Sequence, residues 1–350
     1  MSRPHGPGER RRVSVIYNPA AGGGRAWRAL PEVQAALEEL GIEHRVTATT
    51  DLEHAEKLAR EAADNGEVAA TLGGDGLVGR VAGALRGTDA VLGVLPGGRG
   101  NDLARVLGIP SEPAQACRVL AEGVERPLDL GEVEGRTFIG IASCGFDSDA
   151  NRIANEAPAR LGNLVYAYGA LRALVAWRPA VFELELDGGP HRYRGWSVAA
   201  ANSKAYGGGM YLAPGAALDD GLLDVVCSSD SSRLRFLANL PRVFKGTHLA
   251  DPAVEVRRAR EVTVRADRPF VVYADGDPIG ELPVTIRAVP GAVRVLMPAG
   301  ADPAGTGPRS AGRRRLPGRS RGLRGRRAAG RTPAGPARRR AGFGRGGSRT

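Results

Sequence analysis

Residues 68–76, Val-Ala-Ala-Thr-Leu-Gly-Gly-Asp-Gly, hold the pattern that decides the fold. An apolar run rich in β-strand formers ends in a glycine-rich turn, and residues 77–86 then predict a helix. The unit repeats at residues 90–102, where an apolar run enters the loop Pro-Gly-Gly-Arg-Gly-Asn-Asp and a further helix. Strand, glycine loop and helix in alternation predict a parallel sheet with helices on both faces.

The same alternation extends back toward the N-terminus. Residues 13–17 predict a first strand, which ends in Asn18-Pro19 and is followed by three glycines from Gly22. The further predicted elements are a helix to residue 40, a strand at 42–47 and a helix at 52–63 with Asp51 as its N-cap. Residues 13–130 are therefore predicted to form a three-layer α/β domain.

The character of the chain changes after about residue 125, where strand-like segments follow one another directly. Helices are predicted near 147–176 and 231–245. The predicted strands are 128–134, 137–143, 181–187, 192–201, 222–227, 254–257, 260–266, 270–274, 282–288 and 292–297. This succession predicts an antiparallel β-sandwich over residues 131–298.

The formal charge of +11 is concentrated in the last fifty residues. Residues 301–350 carry 15 arginines and one aspartate, whereas the preceding 300 residues hold 34 basic and 37 acidic groups. This mildly acidic body excludes a basic globular nucleic-acid-binding domain. The Arg-, Gly- and Pro-rich segment 299–350 and the polar segment 1–12 hold few apolar residues for a core, so both are predicted to be disordered.

Cysteine usage and hydropathy indicate a cytoplasmic protein. The three cysteines lie far apart in the chain, which favours neither a disulfide framework nor a zinc site. Residues 1–12 contain no apolar stretch typical of a signal peptide, and no run approaches the roughly 18 apolar residues that span a bilayer.

The glycine loops predict a phosphate-binding edge of the sheet. Glycines let backbone N–H groups approach phosphate oxygens, and an aspartate such as Asp75 tolerates phosphate when a cation such as Mg²⁺ lies between them. A purely structural turn explains the loop Gly73–Gly76 equally well. Three such turns at successive strand ends favour phosphate binding, although none has the GxxxxGK[ST] or GxGxxG spacing. The loop residues are Gly73, Gly74 and Gly76, then Gly98, Arg99, Gly100, Asn101 and Asp102, and the first turn 18–22.

Asp275 and Asp277 flank one glycine after an apolar strand. Two carboxylates at this spacing can act as a general base and an orienting group. Taken alone, Asp-Gly more often marks a hairpin turn, which is the favoured interpretation of this motif by itself.

Taken together and in order, these motifs resemble the diacylglycerol kinase and sphingosine kinase family of lipid kinases, especially its soluble bacterial members. The resemblance covers residues 13–298 and includes Asp129-Leu-Gly, Ser143-Cys-Gly-Phe-Asp and Asp220-Gly-Leu-Leu-Asp. It implies an N-terminal domain of the NAD kinase and phosphofructokinase type, the catalytic nucleotide-binding domain of the family. It also implies a β-sandwich whose last strands return to the first domain.

The resemblance implies ATP and Mg²⁺ as cofactors, with ATP in the cleft between the domains. The nucleotide would contact Asn18, Pro19, Gly22 and Thr49, and its phosphates the loops Gly73–Gly76 and Gly98–Asn101. The Mg²⁺ network would include Asp75, Asp102 and Asp129. A structural metal would bind Asp220 and the carbonyl group of Leu222. Asp277, and otherwise Asp275, would be the catalytic base.

The chain departs from the family pattern in each motif. Leu77 replaces the Thr of GGDGT, Gly79 and Arg80 replace an Asn-Glu pair, and Arg99 replaces the Thr of GTGND. Asp277 replaces a Glu, which shortens the reach of the carboxylate by one methylene group. The two lost hydroxyl groups remove hydrogen bonds worth roughly 0.5–1.5 kcal/mol each, and Arg99 can compensate with a charge-assisted contact to phosphate.

The leading hypothesis is transfer of the γ-phosphoryl group of ATP to a lipid alcohol, most simply diacylglycerol. An apolar cleft near Phe146, Tyr166, Tyr168 and Tyr211 would hold the acyl chains. The alternatives are a nucleotide-binding protein with weak or no kinase activity and an NAD kinase-like enzyme. The Arg-rich tail predicts peripheral contact with the inner face of the membrane rather than a specific nucleic acid. The lipid acceptor and a homodimer are left open.

Overall fold

The computed structural model describes residues 11–155 and 165–301. The predictions of disorder for residues 1–10 and for the tail from residue 302 lie outside the described residues. Within the described ranges, no helix is both long enough and apolar enough to cross a bilayer.

The N-terminal part is the predicted parallel sheet flanked by helices. The sheet has the strand order β2-β1-β3-β4, and every pairing in it is parallel. The elements are β1 Arg12–Tyr17, α1 Ala21–Glu39, β2 Glu43–Ala48, α2 Leu52–Asp64, β3 Val68–Gly73, α3 Asp75–Ala84, β4 Val91–Pro96, α4 Asp102–Val106 and α5 Pro113–Glu122. All six residues of β3 and of β4 are buried, as expected for central strands covered on both faces.

Local chemistry fixes where these helices begin. The carboxylate of Asp51 accepts a hydrogen bond from the backbone N–H of His54 at 2.7 Å, which confirms Asp51 as the N-cap of α2. Helix α1 opens with Gly22, Gly23 and Gly24 at φ of 62°, 69° and 83°, so its regular turns start only after them. Helix α3 begins at Asp75, two residues before the predicted start, and its first turn lies against the glycine loop.

The second part is an antiparallel β-sandwich with helical insertions. Its elements are β5 Val124–Val133, β6 Arg136–Phe138, β7 Ile141–Gly145, α6 Phe146–Asn155, α7 Val165–Ala176, β8 Ala180–Leu186, β9 Gly189–Ala201, β10 Leu223–Ser229, α8 Arg233–Val243, β11 Val254–Ala259, β12 Glu261–Ala266, β13 Val271–Ala274, β14 Asp277–Glu281 and β15 Val284–Met297. Large aromatic side chains, among them Phe138, Phe182 and Trp196, fill a core separate from that of the α/β part.

Four of the predicted elements are divided or joined in the structure. The predicted strand 137–143 is interrupted at Ile139-Gly140, because these backbone N–H groups bond to the carboxylate of Asp275 instead of a neighbouring strand. The predicted helical region 147–176 is two helices. The predicted strands 282–288 and 292–297 are one strand, β15, with a register shift at its Pro-Gly step.

Strand β15 joins the two parts. Its residues 284–287 pair antiparallel with β12, and its residues 286–297 pair antiparallel with β5. Near its end Arg294 and Val295 pair in parallel with Val91 and Leu92 of β4. The last strand therefore returns to the N-terminal sheet, and one continuous sheet of 15 strands passes through both parts.

The described chain begins with contacts at Arg11, inside the segment 1–12 that was predicted to be disordered. The Arg11 guanidinium donates to the carbonyl groups of Leu120, Ala121 and Gly123 at 3.0–3.2 Å. These carbonyl groups lie at the C-terminal end of α5, where a helix leaves acceptors without internal partners. Arg11 satisfies them, and β1 starts at the next residue.

Candidate active site

The three glycine turns that follow β1, β3 and β4 lie side by side at one edge of the sheet. The backbone N–H of Asn18 donates to the carbonyl of Leu72 at 3.2 Å, and that of Gly97 donates to the carbonyl of Gly73 at 2.8 Å. A Cβ atom on Gly22 would lie 2.7 Å from the carbonyl oxygen of Gly97. The turns are therefore packed backbone against backbone, which requires glycine at their contacts.

The loop after β4 is clamped by its own asparagine. Asn101 has a left-handed backbone, with φ of 51°. Its side-chain oxygen accepts the N–H of Gly98 at 2.8 Å, and its amide nitrogen donates to the carbonyl of Gly98 at 3.1 Å. A Cβ atom on Gly98 would lie 2.4 Å from Cα of Gly74. Asn101 thus fixes the shape of this loop and holds it against the glycine loop that follows β3.

Asp75 and Asp102 form an acidic pair at the floor of this edge. A Cβ atom on Gly100 would lie 2.9 Å from Oδ2 of Asp75 and 3.1 Å from Oδ2 of Asp102, so both carboxylates border the same glycine. Oδ1 of Asp75 accepts the N–H of Leu103 at 3.1 Å. Burial, with the nearby charge of Asp102, raises the pKa of Asp75 above its usual value.

The second part of the chain closes over Asp102. Its Oδ2 accepts the N–H of Gly208 at 2.8 Å, and its Oδ1 pairs with Arg105 at 2.5 Å. Gly207, Gly208 and Gly209 all have positive φ, so this turn adopts a backbone that favours glycine. The segment had not been predicted as part of the site, although it is the second run of three glycines in the chain.

Asp275 is at once the turn residue and a buried anchor. It has a φ of 52° at the first position of the β13–β14 hairpin, which confirms the hairpin interpretation of the Asp-Gly motif. Its carboxylate accepts backbone N–H groups of Ile139, Gly140 and Ile141 at 2.8, 2.9 and 3.3 Å. Burial outweighs these hydrogen bonds, and with the charge of Asp75 it raises the pKa of Asp275 to about 7.

Asp277 lies at the start of β14, in an exposed position beside the first turn of α3. A Cβ atom on Gly76 would lie 3.2 Å from Oδ2 of Asp277. Partial burial raises the pKa of Asp277, while the nearby Arg80 and Arg136 oppose that shift. The carboxylate is thus at the N-terminal end of a helix, where a negative charge is stabilised.

The departures from the family motif at positions 79 and 80 are connected with this aspartate pair. A Cβ atom on Gly79 would lie 3.0 Å from Oδ2 of Asp275, so a larger residue would press on that carboxylate. Arg80 forms an ion pair with Glu56 of α2 at 3.1 Å and lies close enough to Asp277 to oppose the rise of its pKa. Gly79 therefore gives space to Asp275, and Arg80 supplies positive charge to Asp277.

The other two departures have different surroundings. Leu77 is buried, and its Cδ2 would lie 2.6 Å from a Cβ atom on Gly73, so its methyl groups fill the space beneath the glycine loop. Arg99 lines the open cleft. The lost hydroxyl group at position 77 is replaced by apolar packing, and position 99 presents a cation where ligands enter.

A cleft of about 890 Å³ runs past the glycine loops and between the two parts of the chain. Its apolar wall includes Ile141, Phe146, Met210 and Leu240. The predicted site residues that line it are Gly22, Asp75, Gly98, Arg99, Gly100, Asp102 and Asp275. Asn18, Pro19, Gly73, Gly74, Gly76 and Asn101 belong to the same turns without lining the cleft, and Asp277 adjoins Gly76 next to Gly276, which does line it. The lining of the cleft thus combines glycine turns and carboxylates with apolar side chains.

The aromatic residues that were predicted to hold the acyl chains do not share one location in the structure. Phe146 lines the cleft, whereas Tyr211 packs against the core of the α/β part. The side chains of Tyr166 and Tyr168 lie outside the described residues. Tyr206 and Tyr273, which had not been predicted, line the cleft.

Thr49 and the predicted metal residues 129, 220 and 222 lie outside the cleft lining. The Thr49 hydroxyl group donates to the carbonyl of Asp51. The Asp129 carboxylate accepts the N–H groups of Gly221 and Gly291 at 2.6 and 2.7 Å, so it ties two turns of the second part together. Unlike Asp75 and Asp102, it does not line the cleft.

Asp220 is engaged with protein groups. Its carboxylate pairs with the Arg258 guanidinium and accepts the N–H of Leu222 at 3.1 Å. Arg258 also pairs with Asp224 at 2.8 Å, where burial raises the pKa of the carboxyl group against the effect of the arginine. In the described ranges, no group of three acidic, His or Cys side chains is arranged to hold a metal ion by itself.

Sequence comparison identifies two domains in the chain. Residues 12–133 match the diacylglycerol kinase catalytic domain, and residues 140–297 match the YegS C-terminal NAD kinase beta sandwich-like domain. A diacylglycerol kinase of Mycobacterium tuberculosis is 36% identical over 296 residues, covering 82% of this chain and 95% of the relative. A diacylglycerol kinase of Bacillus subtilis is 30% identical over 293 residues, covering 82% and 97%. A Chromohalobacter salexigens protein named probable lipid kinase YegS-like is 32% identical over 285 residues, covering 78% and 90%.

Comparison of structures gives the same fold. A crystal structure of a diacylglycerol kinase from Bacillus anthracis superimposes with a TM-score of 0.64 at 19% identity, covering 83% of this chain and 98% of that one. A second crystal structure from the same organism gives a TM-score of 0.71 at 23% identity with the same coverage. The α/β domain followed by a β-sandwich is the architecture of these proteins.

Proposed function

The chain belongs to the diacylglycerol kinase family of lipid kinases, and from that premise we propose that it transfers the γ-phosphoryl group of ATP to the hydroxyl group of a lipid alcohol, most simply diacylglycerol. One observation carries the proposal. The turns after β1, β3 and β4 converge on a single cleft whose lining also includes apolar side chains. A nucleotide needs the glycine turns, and an acyl chain needs the apolar side chains.

The glycine turns are suited to the phosphates of ATP. Gly98 and Gly100 present backbone without side chains to the cleft, and Arg99 offers a guanidinium group beside them. Arginine makes strong charge-assisted hydrogen bonds to phosphate oxygens. Arg25, at the first regular turn of α1, lines the same wall and adds a second cation. These groups would fix the nucleotide and offset its negative charge.

The residues present fit Mg²⁺ at Asp75 and Asp102. A half-buried carboxylate, Asp75, and a buried one, Asp102, lie beside one glycine, and Arg105 balances the charge of only one of them. In nucleotide sites Mg²⁺ takes one or two carboxylates from the protein and completes its shell with phosphate oxygens and water. The bound ion would neutralise charge on the transferred phosphoryl group, and Asp75 and Asp102 would hold it there.

Asp277 is the proposed base that accepts the proton of the acceptor hydroxyl group. Its carboxylate adjoins Gly76, and the neighbouring Gly276 of the same hairpin lines the cleft. Asp275 is held by three backbone N–H groups, and we assign it a positioning role in which it fixes the hairpin that carries Asp277. Asp277 would thus act as the base of the motif, and Asp275 would act as its fixed anchor.

The test is phosphorylation of lipid alcohols by the purified protein. The protein is incubated with labelled ATP, Mg²⁺ and vesicles that contain diacylglycerol, monoacylglycerol or a sphingoid base. We expect a labelled, chloroform-soluble product that requires Mg²⁺. Asp277→Asn should lower kcat by roughly 10²–10⁴-fold, the usual contribution of a general base. Asp64→Asn, an exposed aspartate at the end of α2, is the control and should not change the rate.

The outcomes separate this function from the alternatives. Absence of a labelled lipid across all acceptors would contradict the lipid kinase proposal. ATP binding without turnover, unchanged in Asp277→Ala, would indicate a nucleotide-binding protein of the same fold. Label recovered in NADP when NAD is offered instead would indicate an NAD kinase-like enzyme.

A further inference from the structure

Helix α8 exposes apolar side chains at the edge of the cleft. Of the large apolar residues in the described ranges, six are exposed, and three of them belong to this helix or its end. Leu234 is 80% exposed, Leu237 41% and Phe244 53%. A contiguous exposed apolar surface on a soluble fold commonly marks a site of interaction.

Two faces of α8 lie in different surroundings. Phe236 packs on Trp196 and Phe146 with ring centroids 4.1 and 4.8 Å apart, and Leu240 lines the cleft. Leu234, Leu237 and Phe244 recur at helical spacing on another face, which points to solvent. The helix is thus one wall of the cleft on its inner side and an unpartnered apolar stripe on its outer side.

A fourth exposed apolar residue extends this surface onto α7. The Arg233 guanidinium donates to the carbonyl groups of Val175 and Trp177 at 3.3 and 3.1 Å, which brings the end of α7 against the start of α8. Val175 is 71% exposed. The outer stripe of α8 together with Val175 is called the α8 surface below.

Positive charges predominate around the α8 surface. Residues 231–250 contain four basic side chains, Arg233, Arg235, Arg242 and Lys245, and no acidic one, while Asp251 neutralises Arg235 in an ion pair at 2.6 Å. The body of the chain is otherwise mildly acidic, with more acidic than basic groups in its first 300 residues. Apolar side chains bordered by cations on a helix are the composition that binds in the interface of an anionic bilayer.

We propose that the α8 surface docks this protein on an anionic phospholipid bilayer and places the mouth of the cleft against the membrane. Leu234, Leu237 and Phe244 enter the acyl-chain boundary, and Arg242 and Lys245 contact lipid phosphates. The inference rests on the proposed lipid kinase function, because it gives the acceptor a path along Leu240 from the bilayer into the cleft. It assigns membrane contact to the folded body, independently of the Arg-rich tail.

The test separates apolar insertion from charge by using two kinds of vesicle. The full chain is sedimented with vesicles of phosphatidylcholine alone and of phosphatidylcholine mixed with phosphatidylglycerol. Uncharged vesicles give no electrostatic attraction for the arginine tail, so binding to them reports apolar insertion. Leu234→Gln with Phe244→Gln should lower the partition coefficient roughly tenfold or more on both vesicles. Arg242→Gln with Lys245→Gln should lower it roughly fivefold per residue on the anionic vesicles only.

Two controls guard against misfolding. Val256→Gln removes an exposed apolar residue from β11 and should bind like the wild type. Leu234→Met with Phe244→Met keeps apolar side chains and should also bind. In the wild type, vesicles should protect the amides of residues 231–247 from hydrogen exchange, a measurement that needs no variant.

The outcomes distinguish failure of docking from failure of the proposed function. Phosphorylation of monomeric dioctanoylglycerol should be unchanged in Leu234→Gln with Phe244→Gln, while phosphorylation of long-chain diacylglycerol in vesicles should fall. If the wild type phosphorylates neither dioctanoylglycerol nor long-chain diacylglycerol, the kinase proposal is contradicted. The sedimentation result then remains as the test of docking. Wild-type-like vesicle binding by the variant, or dimerisation through this surface with no vesicle binding, would overturn the docking proposal.

Discussion

Asp275 performs two tasks whose effects on its protonation oppose each other. As an anchor it accepts three backbone N–H groups from residues 139–141, and these bonds favour the charged carboxylate. As a buried neighbour of Asp75 it sits where a negative charge is unfavourable. Burial dominates, and the pKa of Asp275 rises to about 7. The residue is therefore the point in the site at which stability and pH are most directly coupled.

Asp275→Asn should remove this pH dependence. Because the folded-state pKa lies above the ordinary value of about 3.9, the folded protein binds the proton more tightly than the unfolded chain does. The stability from this group is complete at low pH and is lost as pH rises through about 7. The melting temperature of the wild type relative to Asp275→Asn should therefore fall between about pH 5 and about pH 8. A difference that stays constant over this range, with Asp64→Asn as a reference, would contradict the assignment.

At the scale of elements, the site depends on close backbone packing between loops. Gly98 and Gly74 come from turns after adjacent strands, and the space available at the two positions differs. A Cβ atom on Gly98 would lie 2.4 Å from Cα of Gly74, whereas one on Gly74 would lie 3.4 Å from Cα of Gly98. The first distance is a clash with backbone and the second is an ordinary contact.

Gly98→Ala should therefore separate the two loops, and Gly74→Ala is its matched control. The clash should lower the free energy of unfolding by roughly 1–3 kcal/mol, as overpacking generally does. In a chain of this size the melting temperature then falls by about 2–4 °C for each kcal/mol. Calorimetry of both variants checks this. Equal melting temperatures for Gly98→Ala and Gly74→Ala would show that the loops are not packed as described.

Sequence periodicity predicted the α/β elements well because each one is stabilised by its own apolar pattern. The pair Asp75 and Asp102 was predictable for a related reason, since neighbouring parallel strands deliver their C-terminal loops to one edge. Strand β15 was not predictable as one element, because its Pro290-Gly291 step is a typical turn signal. The strand continues because Asp129 accepts the N–H of Gly291 at 2.7 Å, a contact 162 residues away in sequence.

The same limit applies to strand β14 and to the loop over Asp102. Residues 277–281 begin Asp-Pro and resemble a turn, yet they pair with β13 because the Asp275 hairpin directs them there. The hydrogen bond from Gly208 to Asp102 joins residues 106 positions apart. Such contacts depend on how the second part folds back on the first, and no local pattern encodes them.

For the whole molecule, the two hydrophobic cores are joined by one sheet, and the candidate active site lies between the two parts of the chain. Strand β15 crosses from the sandwich to β4 in the α/β part. The cleft takes glycines and carboxylates from the N-terminal turns and apolar side chains from the sandwich and α8. Both the α8 surface and the cleft that opens beside it therefore belong to the folded body rather than to the tail.

The distribution of charge gives the last prediction, which concerns the tail. The chain carries +11 as a whole, but its residues 1–300 have three more acidic than basic groups. Removal of residues 302–350 should leave a protein with a small net negative charge, which an anionic surface repels overall. Binding to vesicles containing phosphatidylglycerol should weaken, and its dependence on salt should become shallower, because fewer cations take part. Binding to phosphatidylcholine vesicles and phosphorylation of monomeric dioctanoylglycerol should stay the same.

Co-sedimentation at two salt concentrations, for the full chain and the truncated chain, measures this difference. RNA added as a competitor should displace the full chain from anionic vesicles to the extent that the tail contributes, since arginine-rich segments bind polyanions without sequence preference. The truncated chain should be displaced much less by the same competitor, because its remaining attachment is apolar insertion together with only the few cations of the α8 surface. An unchanged salt dependence after truncation would contradict a role of the tail in membrane contact and leave the α8 surface to account for all of it.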